Sequence, residues 1–166
     1  MRTGRWKRLH LGAALVLLGS LGTWCAPLLA AELVVAQIAP LSGVLASTGK
    51  QMVLGGQIYF DSVNAKGDVH GARIKHVVLD DSYKVDETVR LTQEVLGRGD
   101  VVALFGFAGT ANVGKLLSDG VLDAGGIALV APYTGGEVLR SPFNPWIFHV
   151  RAGYADEAEH MRLTAG

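Results

Sequence analysis

Four hydroxyl residues, Ser42, Thr48, Thr110 and Thr134, each stand next to a glycine in a turn that follows an apolar run, and Tyr133 adds a phenol beside the last of them. Hydroxyls and freed backbone N–H groups in such turns hold a small zwitterion or carboxylate by hydrogen bonds. The fullest example is VVALFGFAGTANVGK, Val101 to Lys115. A bulky run, read as a strand buried on both faces, gives way to a turn broken by Gly106 and Gly109, and a helix follows. Glycine lets the chain turn sharply and approach a ligand closely. Thr110 is placed to cap the helix, whose N-terminus offers donors and partial positive charge to an anion.

Groups for bond-breaking chemistry do not assemble in the same way. There is no GxSxG elbow and no HExxH pair, and His70, His76, His149 and His160 lack metal-ligand spacing, so each reads as structural or solvated. SGVLASTGKQ approaches a phosphate-binding loop, but Gly43 and Gly49 are six apart instead of five and Gln51 replaces the metal-binding hydroxyl. Asp80 and Asp81 close a strand without a preceding GxGxxG, and the pair reads as turn caps facing solvent. No catalytic residue, metal or cofactor is expected, and the protein does not read as an enzyme.

The elements that must position these turns alternate. Leu33 to Ala39 is a strand ended by Pro40, and a helix runs from Thr48, spaced with Gln51 as a capping box, to about Asn64. Its stripe of Val53, Gly56, Phe60 and Val63 faces a sheet, and close packing accounts for Gly55 and Gly56. A strand at Arg73 to Leu79 precedes a helix opened by Asp86, with Val89, Val95 and Leu96 inward. After the Val101 strand, one helix extends to Gly125 and Gly126. Strands at Ile127 to Val130 and Trp146 to Val150 follow, and a last helix starts at Tyr154. This alternation defines an α/β fold with a doubly wound parallel sheet. In such a sheet the turns Ser42 to Thr48, Gly106 to Thr110 and Ala131 to Glu137 share the edge where ligands bind. That edge carries hydroxyls, one aromatic, Tyr133, and no lysine other than Lys50.

Residues 1–31 read as a cleavable secretory signal: Arg2, Arg5, Lys7 and Arg8 precede an apolar stretch from Leu11 to Leu21, and cleavage falls after Ala30 or Ala31. The whole chain has 15 basic and 15 acidic side chains, and removing the four leader cations leaves 11 against 15. A net acidic exported chain disfavours nucleic acid as a partner. The single cysteine, Cys25, leaves with the leader, so the exported part has no disulfide, as suits a bacterial periplasm.

The motifs PLSG (Pro40 to Gly43), NAKG (Asn64 to Gly67), LDD (Leu79 to Asp81), FGFAGTAN (Phe105 to Asn112), APYTGGE (Ala131 to Glu137) and VRAGYADEAE (Val150 to Glu159) follow one another over residues 32–166. In that order the chain resembles the N-terminal lobe of periplasmic type I solute-binding proteins, the leucine/isoleucine/valine-binding family of ABC importers. The resemblance implies two lobes that close on a ligand, of which this chain holds an incomplete first and lacks the second. It implies capture of an amino acid, branched-chain-like, or a related small carboxylate, with ABC permease membrane subunits as partners. By motif match, Gly109, Thr110, Tyr133 and Thr134 hold the ligand's α-carboxylate and α-amino groups, and Ser42 shares their edge. Thr48 stands where branched-chain binders carry a tyrosine, and the cysteine pair of some members is absent. Two other classes stay open: the ligand-sensing domain of a receptor or regulator with the same fold, and a secreted α/β enzyme.

Overall fold

The computed structural model of the protein describes residues 31–164; residues 1–30 of the leader expected at the N-terminus lie outside the described residues. Five parallel strands form one sheet in the order β2-β1-β3-β4-β5. They are β1 (Glu32–Ala39), β2 (Arg73–Asp80), β3 (Val101–Phe105), β4 (Leu129–Val130) and β5 (Ile147–Phe148). The helices are α1 (Ala46–Ala65), α2 (Val85–Gly97), α3 (Thr110–Ser118), α4 (Val121–Gly125) and α5 (Tyr154–Thr164). β1 and β2 run in register from Glu32 beside Arg73 to Ala39 beside Asp80, and the β1–β3 pairing shifts by a bulge between Val34 and Val35. The chain reverses its order between β1 and β3, so a crevice opens at their carboxyl ends.

Alternation along the strands separates the two faces. Ala36, Ile38, Leu104, Leu129 and Ile147 turn one way and form the core with Leu91 and Val95 of α2, Val113 and Leu116 of α3, and Val121 and Leu122 of α4. Each buried aliphatic side chain of this kind contributes roughly 1.5–3 kcal/mol. Gln37, His76 and Phe105 turn the other way, toward α1. There Phe60 meets the rings of His76 and Phe105 edge-on, with centroids 5.0 and 5.3 Å apart. Gly56 makes this approach possible, because a Cβ at that position would lie 2.9 Å from Phe105 Cε1. Gly55 has open space around it, so packing against the sheet accounts for Gly56 and not for Gly55.

Several boundaries differ from the sequence reading. Thr48 is not the cap of α1: the helix begins at Ala46 with Leu45 at the N-cap. Gly49 is buried where a Cβ would overlap the Pro40 carbonyl, which draws the first turn tightly onto the end of β1. The helix after β3 is two helices, since Gly120 adopts φ 65° and breaks it after Ser118. β4 and β5 are shorter than expected, two residues each. Val102, which the β1–β3 bulge leaves unpaired, is 51% exposed, so β3 is not buried along its whole length. In α2 the inward set includes Thr88, Leu91 and Thr92 beside Val95, while Val89 and Leu96 lie at its margin.

Candidate functional site

The three turns expected to share an edge do share it. β3 and β4 end side by side, and beyond them a bridge pairs Ala108 with Tyr133. The Tyr133 N–H donates to the Phe107 carbonyl at 2.7 Å, and the Gly109 N–H returns to the Tyr133 carbonyl at 3.4 Å. The backbone thereby carries the sheet one step past its last regular residues, and Thr110 and Thr134 are brought together. Their hydroxyl oxygens are 2.5 Å apart.

Thr110 is not the helix cap. Gly109 occupies the N-cap of α3 with φ 96°, and no side chain caps the helix. The first N–H groups of a helix have no intrahelical partner, so those of α3 open toward the same edge as the threonine pair. Gly136 lies against Thr110, where a Cβ would overlap its side chain, and the Gly136 N–H donates to Thr134 Oγ1 at 3.1 Å. Thr134 is fully buried, so its hydroxyl is fixed by both of its partners.

Ser42 sits at the mouth of the neighbouring turn, but its hydroxyl is already engaged. It donates to Asp80 Oδ2 at 2.6 Å and lies 2.6 Å from Ser82 Oγ. Asp80 Oδ1 accepts the N–H groups of Leu41, Ser42 and Ser82. The Ser42 hydrogen bond is the main reason that the Asp80 carboxyl is held below its ordinary range. Thr48 lies half-buried within the first turn of α1, away from the threonine pair in the hydrogen-bond network.

The acidic pair divides its work. Asp80 is exposed and organises the β1 and β2 turns, as read from the sequence, whereas Asp81 is buried. Asp81 Oδ1 accepts the Tyr83 N–H at 2.9 Å and Oδ2 accepts the Thr88 hydroxyl at 2.5 Å. Asn112 of α3 donates to Thr88 Oγ1 at 2.9 Å. This chain of contacts ties the turn after β2 to the helix that follows β3, and it fixes Tyr83 at φ 62° over Gly109.

Tyr83, Tyr154, Arg151 and Glu157 are the parts of the edge that sequence reading missed. Tyr154 opens α5, its N–H donates to the Gly135 carbonyl at 2.7 Å, and its ring rests on Gly135. Contacts with the Thr134 hydroxyl, the Gly135 backbone and the Thr110 hydroxyl hold its phenol below its usual value. Arg151 places its guanidinium 5.4 Å from the Tyr133 ring centroid and 5.5 Å from that of Tyr154. Its charge is paired with Glu157, which keeps it firmly protonated. The edge therefore carries three tyrosines in place of the single expected aromatic.

His76 and His149 play structural parts. Gln37 Nε2 donates to the Gly106 carbonyl, so Gln37 Oε1 faces His76 Nε2 at 2.9 Å and makes that nitrogen the donor. His76 Nδ1 lies 3.2 Å from Gln57 Oε1. Burial lowers the His76 pKa, partly opposed by Asp61. His149 Nε2 is 3.1 Å from the Leu139 carbonyl. Among the described residues, no group of three His, Cys, Asp or Glu side chains forms a metal site.

A sequence profile of the periplasmic binding protein family matches residues 32–162, and the chain belongs to that family. The Leu/Ile/Val-binding protein BraC3 of Rhizobium johnstonii is 32% identical over 107 residues, which is 64% of this chain and 28% of that protein. A substrate-binding periplasmic protein from Ralstonia solanacearum has the same fold, with 35% identity, a TM-score of 0.74, and coverage of 81% of this chain and 38% of its own. A possible leucine/isoleucine/valine-binding protein from Rhodopirellula baltica superposes with a TM-score of 0.75 at 26% identity, over 85% of this chain and 38% of that one. These relatives are binding proteins, not enzymes, and the chain spans well under half of their length.

Proposed function

We propose that this chain is the N-terminal lobe of the substrate-binding component of an ABC importer, capturing an amino acid or related small carboxylate in the periplasm. The observation that carries the reading is the meeting of Thr110 and Thr134 beside the uncapped N-terminus of α3. An oxyanion placed there finds backbone donors, the half-buried Thr110 hydroxyl and the positive end of a helix. Gly109 lets Tyr83 and Asn112 close onto the start of α3, because a side chain at that position would collide with both. Relatives named for leucine, isoleucine and valine supply the ligand class, and their membrane partners would be permease subunits.

The energetics call for a second lobe. A helix terminus contributes up to about 2 kcal/mol and each hydrogen bond about 1 kcal/mol, while micromolar affinity requires about 8 kcal/mol. Closure of another lobe over the edge supplies the remainder by excluding water and adding donors.

The test is titration calorimetry of the full-length protein that carries this chain, with a panel of amino acids and small carboxylates. Micromolar binding of at least one panel member is the expected result. Absence of heat or thermal stabilisation across the whole panel overturns the reading.

A further inference from the structure

Gln37 is a fully buried amide at the carboxyl half of β1, on the side of the sheet that α1 covers. Burying an amide is costly unless both of its ends are bonded, and here both are. Nε2 donates to the Gly106 carbonyl at 3.2 Å, and Oε1 faces His76 Nε2 at 2.9 Å. The β1–β3 register ends with Ala36 beside Leu104, and beyond it the Gln37 side chain takes over from the backbone. Gly106 is gripped from both sides: its N–H donates to the Val130 carbonyl at 2.9 Å, and at φ 61° a Cβ would stand 2.7 Å from Gln37 Nε2. The next residue, Phe107, is fully buried, and its carbonyl accepts the Tyr133 N–H that brings Thr134 beside Thr110. The Gly106 peptide is therefore the root of the turn that ends at Thr110.

The other end of this relay carries a proton that comes and goes near neutral pH. Both nitrogens of the half-buried His76 face amide oxygens. Nε2 faces Gln37, and Nδ1 lies 3.2 Å from Gln57 Oε1, because Gln57 Nε2 is committed to Asp61 Oδ1 at 2.8 Å. A neutral imidazole has one N–H and can serve only one of the two oxygens; it serves the buried one, on Gln37. Proton uptake at Nδ1 adds a donor aimed at Gln57 and draws the charge toward the exposed Asp61, away from buried Gln37. Around the ring, α1 brings Asp61, its other charge Lys50 being exposed in the first turn; β1 brings only Glu32, which is paired with Lys75 of β2; and β3 brings no charge.

Resting on the reading above, we propose that Gln37 and His76 are positioning residues for the Gly106 to Thr110 turn: neutral His76 locks the Gln37 amide onto the Gly106 carbonyl, and proton uptake at His76 loosens that lock and weakens capture at the Thr110 edge. Both act through the Gly106 peptide and not by contact with the ligand.

The test is made on the full-length protein in two arms. By NMR, the amide nitrogen of Phe107, which shares a peptide with the Gly106 carbonyl, should titrate with the same midpoint as the His76 ring. In Gln37→Met the ring should still titrate and Phe107 should not. A Phe107 signal that stays fixed while His76 titrates in the native protein overturns the relay. By calorimetry with leucine, phenylalanine, glutamate and benzoate, the tightest binder should lose about three- to tenfold in affinity between about pH 7.5 and about pH 5.5, the worth of one hydrogen bond. His76→Phe, which keeps a ring beside Phe60 but carries no proton, should bring that ratio to about one. The double variant Gln37→Met with His76→Phe, which strands neither partner of the pair, should do the same and guards against a misfolded single variant. An unchanged pH dependence in these variants overturns the coupling to binding and leaves the solute-binding reading intact. If none of the four carboxylates binds at either pH, the solute-binding reading fails with the claim on capture, and the Phe107 titration alone decides the relay.

Discussion

Thr110 Oγ1 and Thr134 Oγ1 lie 2.5 Å apart and join the first turn of α3 to the turn after β4. The two threonines are not equivalent. Thr134 is fully buried and also accepts the Gly136 N–H, whereas Thr110 is half-buried and accepts no backbone N–H. Thr110→Ala should therefore cost about 1 kcal/mol of stability, the worth of one neutral hydrogen bond. Thr134→Ala should cost about 1–3 kcal/mol, because it strands a buried donor. Both should weaken ligand binding in the full-length protein, and urea melts beside calorimetry separate the two effects. Loss of stability in Thr110→Ala with unchanged affinity would make that residue structural only.

Two adjacent glycines of α1 should respond in opposite senses to the same change. Gly55 is solvent-exposed in the helix, with nothing within 4 Å of an added Cβ. Gly55→Ala should stabilise the protein by roughly 0.5–1 kcal/mol through helix propensity. Gly56→Ala places a methyl against the Phe105 ring, which is wedged against Phe60. That crowding should cost about 1–3 kcal/mol. Thermal melts of the two variants check the contrast.

The alternation of strand and helix, the parallel sheet and the common edge were legible because each rests on local pattern and on a general rule about strand ends. Apolar runs such as Leu33 to Ala39 and glycine-broken turns such as Gly106 to Gly109 announce themselves at short range. Cap assignments failed for a different reason. Thr110 and Thr48 have cap chemistry, but Thr110 spends its hydroxyl on a residue 24 positions away, and close packing of Gly49 on Pro40 draws the start of α1 two residues earlier. Asp81 looked like a solvent-facing twin of Asp80 because the side chain that holds it, Thr88, lies a helical turn into α2 and is itself held by Asn112 of α3. Tyr83 and Tyr154 lie 71 residues apart and meet one edge only through the topology. Their sole sequence signal was position: each follows the end of a strand, where the parallel-sheet rule already placed the site.

His76 gives the protein a pH response near neutrality. Burial lowers its folded pKa below the ordinary value of 6.5, so the unfolded chain binds the proton more readily. Stability is then fully present above about pH 6.5 and is lost as pH falls from there through the folded pKa. The urea midpoint should drop between about pH 7 and pH 5 in the native protein, and this slope should shrink in His76→Gln. An NMR titration placing the His76 pKa above 6.5 would reverse the sign.

The buried polar chain from Asp81 through Thr88 to Asn112 should be among the more sensitive places in the molecule. Thr88→Val keeps the shape but removes the hydroxyl that donates to Asp81 Oδ2 and accepts from Asn112 Nδ2. Asp81 Oδ2 and the Asn112 amide each lose a buried hydrogen bond while Asp81 Oδ1 keeps the Tyr83 N–H, so the cost should reach about 2–4 kcal/mol. The double variant Thr88→Val with Asn112→Leu should recover part of that loss, because it removes one of the stranded groups. Chemical denaturation of the single and double variants reads the coupling. Strict additivity would mean that the two side chains do not act together.

Ser42 separates a loop staple from a ligand contact. Its hydroxyl is engaged by Asp80 and Ser82, and it is the main cause of the lowered Asp80 pKa. A carboxylate with a depressed folded pKa contributes stability above its unfolded value, near 3.8, and loses it as pH falls through the folded pKa. Ser42→Ala should therefore raise the Asp80 pKa toward 3.8 and shift the onset of acid unfolding upward, both measurable by carboxyl NMR titration and acid melts. Asp80 is exposed, so solvent screening keeps the change in stability at neutral pH small. Ligand affinity in the full-length protein should change less in Ser42→Ala than in Thr110→Ala. A larger loss in Ser42→Ala, with Asp80 unmoved, would mean that the hydroxyl leaves Asp80 to meet the ligand, and the β1 turn would then belong to the binding surface itself.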